Sequence, residues 1–516
     1  MLLKKYLSLS GNPFGIAFIL FLITIITRLP FTSKILFSGD SVQFALGIQR
    51  YDITVHQPHP PGYFLYVMLG KLLNLFTHDA NTSFVTLSVL ASGLTVVAIY
   101  KLANQMHDRK TALWSSILVI SSPLFWFYGE VAQTYMIEAF FSAFFAYLCW
   151  RILNGEHRLI FVSALLLAVA GGFRQSTLIF LIPLWLYSIR KAPYKYILVS
   201  FSLLVIGVMS WFLPMLSMTG GYRQYIAAVD ELWAFTFEPV MFINAGLGKI
   251  YSNSNIIMWS VIYGIGLCTA FIVFYLLKTG LKEIKRVLLS KKGIFIAFWI
   301  FPAILFYQFI YIGRPGYCLI FMPALIIASG NTIKLFIEKK YFSLKIFIPL
   351  ICITIFLNLY FFFEISSPVS LNLLKRQYSD IMNFSAVTRK NFNPSDTIIL
   401  SYDYTFNGPR NFMYYLPEYK VYIINERVDK QGRKRKVFWG YNRNTFVSQA
   451  LYVPNGTKFF ISPFSNQNIL NDMMKSGEKI NVLKKDGEEI AFYGDIRLAP
   501  KAYRGVTFDI KAEDNK

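Results

Sequence analysis

PFGIAFILFLITIITRLP, residues 13–30, decides the class of fold. It is an apolar run close to the roughly 20 residues that a helix needs to cross a bilayer. Comparable runs recur at 82–101, 111–128, 134–153, 158–172, 175–189, 196–216, 256–277, 294–312, 317–337 and 345–363. The pattern predicts a polytopic α-helical membrane protein with about 11 transmembrane helices. The first run follows Lys4 and Lys5 and has no small-residue cleavage site, so a retained anchor is expected, not a signal peptide.

Composition agrees. The 516 residues are 55% hydrophobic, 17% aromatic and only 15% charged, with a mean hydropathy of +0.45. A soluble domain carries about a quarter of charged residues, so an ordinary cytosolic enzyme, a disordered tail protein and a fibrous repeat are excluded. Lys and Arg outnumber Asp and Glu by 51 to 28, a net charge of +23. The excess sits in alternate loops: Lys101, Arg109 and Lys110; Arg151 and Arg158; Arg190, Lys191 and Lys195; Lys278 to Lys292; Lys339 and Lys340. By the positive-inside bias these loops and the N-terminus face the cytoplasm. The charge is then topological and implies no nucleic-acid partner. An odd number of crossings places the chain beyond residue 363 outside, in a multi-pass protein of a cell membrane, expected to be a bacterial plasma or inner membrane. Cys149, Cys268, Cys318 and Cys352 lie in apolar runs without CxxC spacing, and read as small hydrophobes, neither disulfides nor metal ligands.

Beyond about residue 366 polar residues and turns take over. Strands are expected at Asp396–Tyr404, Lys420–Asn425, Val437–Tyr441 and Lys458–Pro463, helices at Leu371–Phe384 and Asn466–Lys475. Asp486-Gly487 between Ile480–Leu483 and Glu489–Tyr493 is a hairpin signal. Two domains follow: a transmembrane domain, 1–365, and an extracytoplasmic soluble α+β domain, 366–516.

The first outer loop is the richest in chemistry. It reads Phe37-Ser-Gly-Asp40-Ser-Val-Gln43, then Tyr51-Asp52, then His56-Gln-Pro-His59-Pro-Pro-Gly62-Tyr63. Prolines make the end of this loop a rigid turn. The short apolar run after Tyr63, with Lys71 and Asn74 on it, suits an interfacial helix better than a crossing. Ionisable residues at the bilayer edge are costly and commonly functional.

Gly-Asp-Ser soon after the first transmembrane run, followed by His-Pro-Pro-Gly-Tyr and an interfacial helix, resembles the protein O-mannosyltransferase-like branch of the GT-C glycosyltransferases. Tyr128-Gly-Glu130-Val-Ala-Gln-Thr-Tyr135, Gly172-Phe-Arg174-Gln-Ser176 and Gly313-Arg314-Pro-Gly-Tyr317 resemble the same family. The resemblance covers the membrane half well and the tail loosely. It implies an integral membrane enzyme that uses a polyprenyl-phosphate-linked sugar as donor, without a cofactor, and a hydroxyl acceptor on protein, glycan or lipid. Many relatives carry an acidic pair in the first loop, whereas here Ser41 follows Asp40, leaving one acid for the role.

The residue types suit that chemistry. Phosphate is a good leaving group, so a base on the acceptor side and cations on the phosphate side suffice. Asp40 is the candidate base; its alternative is an ordinary helix cap. The resemblance makes Glu130 a second active-site acid that orients the acceptor or Asp40, against the alternative of a solvated loop carboxylate. His56 and His59 are candidates for hydrogen bonds to the donor phosphate, or are structural. Tyr63 and Gln43 are candidates for acceptor contact. Arg174 stands between two runs of about 15 residues, some 22 Å each against a hydrocarbon thickness near 30 Å. It should therefore lie below the outer headgroups, where it needs a partner: the donor phosphate, ordinary lipid headgroups or Glu130. Arg314 is a second cation at that level. Glu138 is set aside as a partner for a neighbouring helix. The loop at 217–255, with Tyr222, Arg223, Asp230, Glu231, Trp233 and Glu238, is a weaker acceptor candidate. No metal-ligand spacing, nucleophile elbow or P-loop is present.

Two other classes compete: a secondary transporter, and a non-catalytic glycan-binding or assembly protein. A transporter concentrates ionisable groups near the bilayer midplane and often has repeated halves, whereas here they collect at the outer ends of unlike halves.

Overall fold

The computed structural model describes residues 13–238, 241–341, 343–402, 408–428, 434–440, 443–447, 450–464, 480–498 and 509–512. The expected helix Asn466–Lys475 lies outside them. The chain forms two compact units: one comprises the sequence up to Ser33 together with Pro60–Leu373, the other Lys34–His59 together with the sequence from Leu374 onward.

The first unit is helical. Six helices are long and apolar enough to cross a membrane: Phe14–Phe31, Ala80–Met106, Tyr135–Leu153, Tyr194–Met218, Lys291–Phe309 and Leu344–Phe363. Two bent pairs raise the number to eight if each is one span: Arg109–Ser121 with Pro123–Gly129, bent by 60°, and Leu247–Ile265 with Cys268–Thr279, bent by 100°. The first break has a local cause. Pro123 disfavours helical backbone at the residue before it, and Ser122 is extended at φ −66°, ψ 123°. At the second break Gly266 takes φ +56°, which glycine adopts without steric cost.

The other expected crossings are shorter helices. Residues 158–172 and 175–189 correspond to Leu159–Phe173 and Gln175–Ile189, each of 15 residues. The segment 317–337 begins with the 3-10 turn Pro315–Ile320 and continues as Met322–Glu338. The expected interfacial run is the 14-residue helix Phe64–Thr77.

Ala80–Met106 and Tyr135–Leu153 form the centre, with 72% of each span buried, against 11% for Tyr194–Met218. Lipid is as apolar as leucine, so close packing and internal hydrogen bonds hold such helices together. Gly330 illustrates the first: a Cβ there would stand 2.3 Å from Ser115 Oγ and 2.8 Å from the Ser115 amide nitrogen. Ser88 illustrates the second, donating to the Val131 carbonyl at 2.7 Å. Helix starts follow the capping rule: Asp79 accepts from the Thr82 amide at 2.7 Å and Asp108 from the Thr111 amide at 2.8 Å. Cys149, Cys268 and Cys318 are buried, Cys352 is exposed, and all are free thiols.

The second unit is α+β. Its sheet has the order β4-β3-β2-β1-β6-β8-β7. The strands are β1 Thr397–Tyr402, β2 Lys420–Val428, β3 Lys434–Gly440, β4 Arg443–Val447, β6 Phe459–Pro463, β7 Asn481–Lys485 and β8 Glu488–Asp495. β1 is parallel to β2 and β6, and the other pairs are antiparallel. β5 Ala450–Val453 pairs separately with β9 Asp509–Ala512. The hairpin turns at Asp486 and Gly487, with φ +53° and +85°, as the Asp-Gly signal requires. The helix expected at Leu371–Phe384 runs on to Asn391. Phe384, Phe412, Met413 and Leu416 pack on Ile399, Val421 and Ile461 to form the core.

The segment Lys34–His59 is tied into this unit. The Leu36 amide donates to Tyr415 Oη at 2.8 Å, and Asn411 Nδ2 donates to the Leu36 carbonyl at 2.9 Å.

Candidate active site

In the second unit the first-loop residues stand on a short helix, Gly39–Gln49. Its cap is Ser38, whose Oγ accepts from the Ser41 amide at 3.4 Å. Asp40 is therefore not the cap. It lies half-buried in the first turn, where the exposed amide dipoles favour a negative charge. Gln43 is three residues on, so both project from one face. Gln43 Oε1 lies 2.6 Å from His59 Nδ1. His59 is held further by the Phe44 ring, 5.8 Å away. His56 takes left-handed backbone, φ +56°, closing the 3-10 turn Ile53–Val55. Asp52 stabilises that turn by accepting from the Thr54 amide at 3.1 Å and from Arg50 at 2.7 Å.

In the first unit three motifs that lie far apart in sequence come together around Arg174. The residue joins Leu159–Phe173 to Gln175–Ile189 in extended backbone and is 7% exposed. Its Nε lies 3.3 Å from Glu138 Oε2 and donates to Ser176 Oγ at 3.1 Å, and one terminal nitrogen donates to Thr134 Oγ1 at 3.0 Å. Thr177 Oγ1 donates to Glu138 Oε1 at 2.9 Å. The guanidinium carbon stands 4.7 Å from the Tyr135 ring centre, 4.9 Å from Tyr317 and 5.9 Å from Tyr63. Such contacts contribute about 0.5–1 kcal/mol each, more when desolvated. Tyr317 comes this close because of Gly316: a Cβ there would meet both Tyr128 and Tyr135 at 2.6 Å.

Sequence reasoning offered Arg174 a phosphate, a headgroup or Glu130 as partner; the carboxylate beside it is that of Glu138. Two charges buried together explain the choice. Either alone would be costly in an apolar interior, and together they compensate. Glu130 is not a solvated loop carboxylate either. It is 0% exposed and feels the positive charge of Arg28, at the end of the first helix. Burial pushes the Glu130 carboxyl well above the usual range, and the Arg28 guanidinium opposes the shift.

Arg314 N-caps the Pro315–Ile320 turn and is half-buried, with its charge acting on the Tyr128 hydroxyl. The loop at 217–255 contributes an aromatic edge: Phe237 is 5.1 Å from Tyr311, which is 6.0 Å from Tyr317. Among the described residues no group of three His, Cys, Asp or Glu is placed to hold a metal ion.

Arg28 was the residue missed. Its signal was present, a lone charge inside the run quoted first, since intramembrane charges are rare and costly.

This fold is shared by solved structures of low sequence identity. The ArnT of Cupriavidus metallidurans, solved bound to undecaprenyl phosphate, superposes with a TM-score of 0.57 at 10% identity, covering 93% of this chain and 97% of that one. The Archaeoglobus fulgidus oligosaccharyltransferase in its apo form gives a TM-score of 0.51 at 11% identity, covering 89% of this chain and 70% of that one. The chain thus shares its fold with these proteins, with six to eight helices long and apolar enough to cross a membrane. Residues 50–198 match the profile of the protein O-mannosyl-transferase TMEM260 N-terminal domain. The chain is thus similar to membrane glycosyltransferases in fold, and over residues 50–198 in sequence, as its motifs led us to expect. No curated protein sequence is significantly similar to it.

Proposed function

We propose that the enzyme moves a sugar from a polyprenyl-phosphate-linked donor to a hydroxyl acceptor at the outer face of the membrane, by a single inverting displacement. Asp40 takes the acceptor's hydroxyl proton as the oxygen attacks the anomeric carbon. The bond from that carbon to the phosphate oxygen breaks, and its electron pair leaves with polyprenyl phosphate. Attack from the face opposite the phosphate inverts the centre.

Arg174, with His56, His59 and Arg314, is assigned to the departing phosphate. The observation that carries this reading is the built environment of Arg174. Glu138, Ser176 and Thr134 fix its Nε and one terminal nitrogen, while the other terminal nitrogen makes no hydrogen bond among the described residues. A guanidinium so oriented keeps a donor for a phosphate oxygen. ArnT, which shares the fold, was solved with a polyprenyl phosphate bound. Gln43 and Tyr63 are assigned to the acceptor, and Glu130 to orienting it.

We also read Leu159–Phe173, Gln175–Ile189 and Met322–Glu338 as crossings beyond the eight, giving eleven with the C-terminal domain outside. A reporter that works only in the cytoplasm, fused after Lys516, is expected to be silent; a signal would overturn this topology.

The central test uses purified protein in lipid, polyprenyl-phosphate mannose as first donor and a Ser/Thr peptide mixture as acceptor. Release of polyprenyl phosphate with an inverted product linkage is expected. Binding of the donor without release, across a panel of polyprenyl-phosphate sugars, would favour a non-catalytic role.

A further inference from the structure

The reaction as described has no task for Arg28, yet it is one of the largest fully buried side chains among the described residues. Arg28 is 1% exposed and its guanidinium carbon lies 3.9 Å from the centre of the Trp126 ring. The indole is itself fixed by its Nε1 donating to the Ile120 carbonyl at 2.6 Å. Gly129, next to Glu130, packs so close that a Cβ would stand 3.4 Å from Arg28 Nε and 2.4 Å from Ser92 Oγ. The Glu130 carbonyl accepts from the Ser33 amide at 2.8 Å, and the Ser33 carbonyl accepts from Asn81 Nδ2 at 2.7 Å. The polar side chains packed here from Ala80–Met106, those of Asn81, Ser88 and Ser92, are neutral. Arg28 is the charged group that acts on Glu130. None of the three guanidinium nitrogens, and neither Glu130 carboxylate oxygen, makes a hydrogen bond among the described residues.

We infer that Arg28 is a positioning residue: the buried counter-charge that favours the ionised form of Glu130 without donating a hydrogen bond to either of its oxygens. The inference rests on the reading of Glu130 as an active-site acid. A buried carboxyl without a counter-charge takes up a proton, whereas a guanidinium stays charged. A hydrogen-bonded ion pair would supply the charge but occupy the oxygens. Stacking on Trp126 supplies the charge through space and leaves both oxygens without a hydrogen bond.

The test measures polyprenyl phosphate release from polyprenyl-phosphate mannose, between about pH 5.5 and about pH 9, by the full chain in lipid. Wild type is compared with Arg28→Lys, Arg28→Met, Glu130→Gln and the double variant Arg28→Met/Glu130→Gln. Arg28→Met is expected to be at least about tenfold slower near neutrality, with its acidic limb moved up by about one pH unit or more. Arg28→Lys should fall between it and wild type, and Glu130→Gln should be inactive throughout. Arg28→Met with the wild-type pH profile, alongside an inactive Glu130→Gln, would overturn the role of Arg28 and leave that of Glu130 standing. Glu130→Gln at the wild-type rate would instead overturn the reading of Glu130, and the inference with it. Should Arg28→Met fail to fold, the double variant, which buries neither charge, must recover the thermal midpoint; equal instability would overturn the pairing.

Discussion

Replacing Glu138 by leucine removes the carboxylate that lies 3.3 Å from Arg174 Nε and accepts from Thr177. The two side chains are 9% and 0% exposed, so water offers little compensation. Breaking a buried pair by removing one member costs about 3–5 kcal/mol. Glu138→Leu should lie at the low end, about 3 kcal/mol, because Arg174 keeps Thr134, Ser176 and its ring contacts. Arg174→Met leaves a carboxyl with one hydroxyl donor, and should cost about as much, with Glu138 taking up a proton. The double variant Arg174→Met/Glu138→Leu removes both charges and should be more stable than either single one, giving a coupling of at least about 2 kcal/mol. Reversible unfolding in mixed micelles measures all four corners of the cycle. Additivity within about 0.5 kcal/mol would refute the pairing argument. Function separates the same residues: Glu138→Gln keeps an acceptor for Thr177 but lifts the negative charge that competes with phosphate for Arg174. It should bind polyprenyl-phosphate mannose at least as tightly as wild type, while Arg174→Met weakens binding about tenfold or more. Equal affinity in Arg174→Met and wild type would remove Arg174 from the phosphate site.

Asp40→Asn should lower the transfer rate by about 10²–10⁴-fold with donor affinity nearly intact, since an amide cannot accept the proton; a rate within a few-fold of wild type would end its assignment as base. Gly316→Ala would set a methyl 2.6 Å from Tyr128 and Tyr135, and is expected to lower stability by about 1–3 kcal/mol; an unchanged thermal midpoint would show that the tyrosines yield freely. At His107, burial above all, with Lys292 and Lys334 adding to it against Asp108, holds the imidazole at about 4 where 6.5 is ordinary. The folded protein therefore stays neutral there while the unfolded chain takes up a proton, so this contribution is intact above about pH 6.5 and is lost progressively toward pH 4, by roughly 3 kcal/mol. His107→Gln should flatten that decline in unfolding measurements, and an identical pH dependence would refute it.

Local signals read well where the physics is local. The Asp486-Gly487 hairpin, the helix from Leu371 and the strands around Thr397, Lys420 and Phe459 stand where turn chemistry and alternation put them. The breaks at Ser122 and Gly266 were missed because an apolar run records its affinity for lipid and not its direction. Val437–Tyr441 was a fair estimate of β3, whose described residues begin three positions earlier, at Lys434.

Hydropathy and charge along the chain were enough to read a helical half apolar enough to cross a membrane, an α+β tail and the motifs that carry the family resemblance. Each of these depends on neighbouring residues, and neighbours are what a sequence displays. The partners of the buried charges do not. Arg174 meets Glu138 across helices, Arg28 acts on Glu130 about a hundred positions away, and Lys34–His59 is tied by Leu36 to Tyr415 and Asn411. Those pairings follow from how each helix is rotated about its axis and which neighbour it packs on. Rotation and packing are fixed by contacts between distant segments, so the same list of charged residues is compatible with several pairings until the helices are assembled.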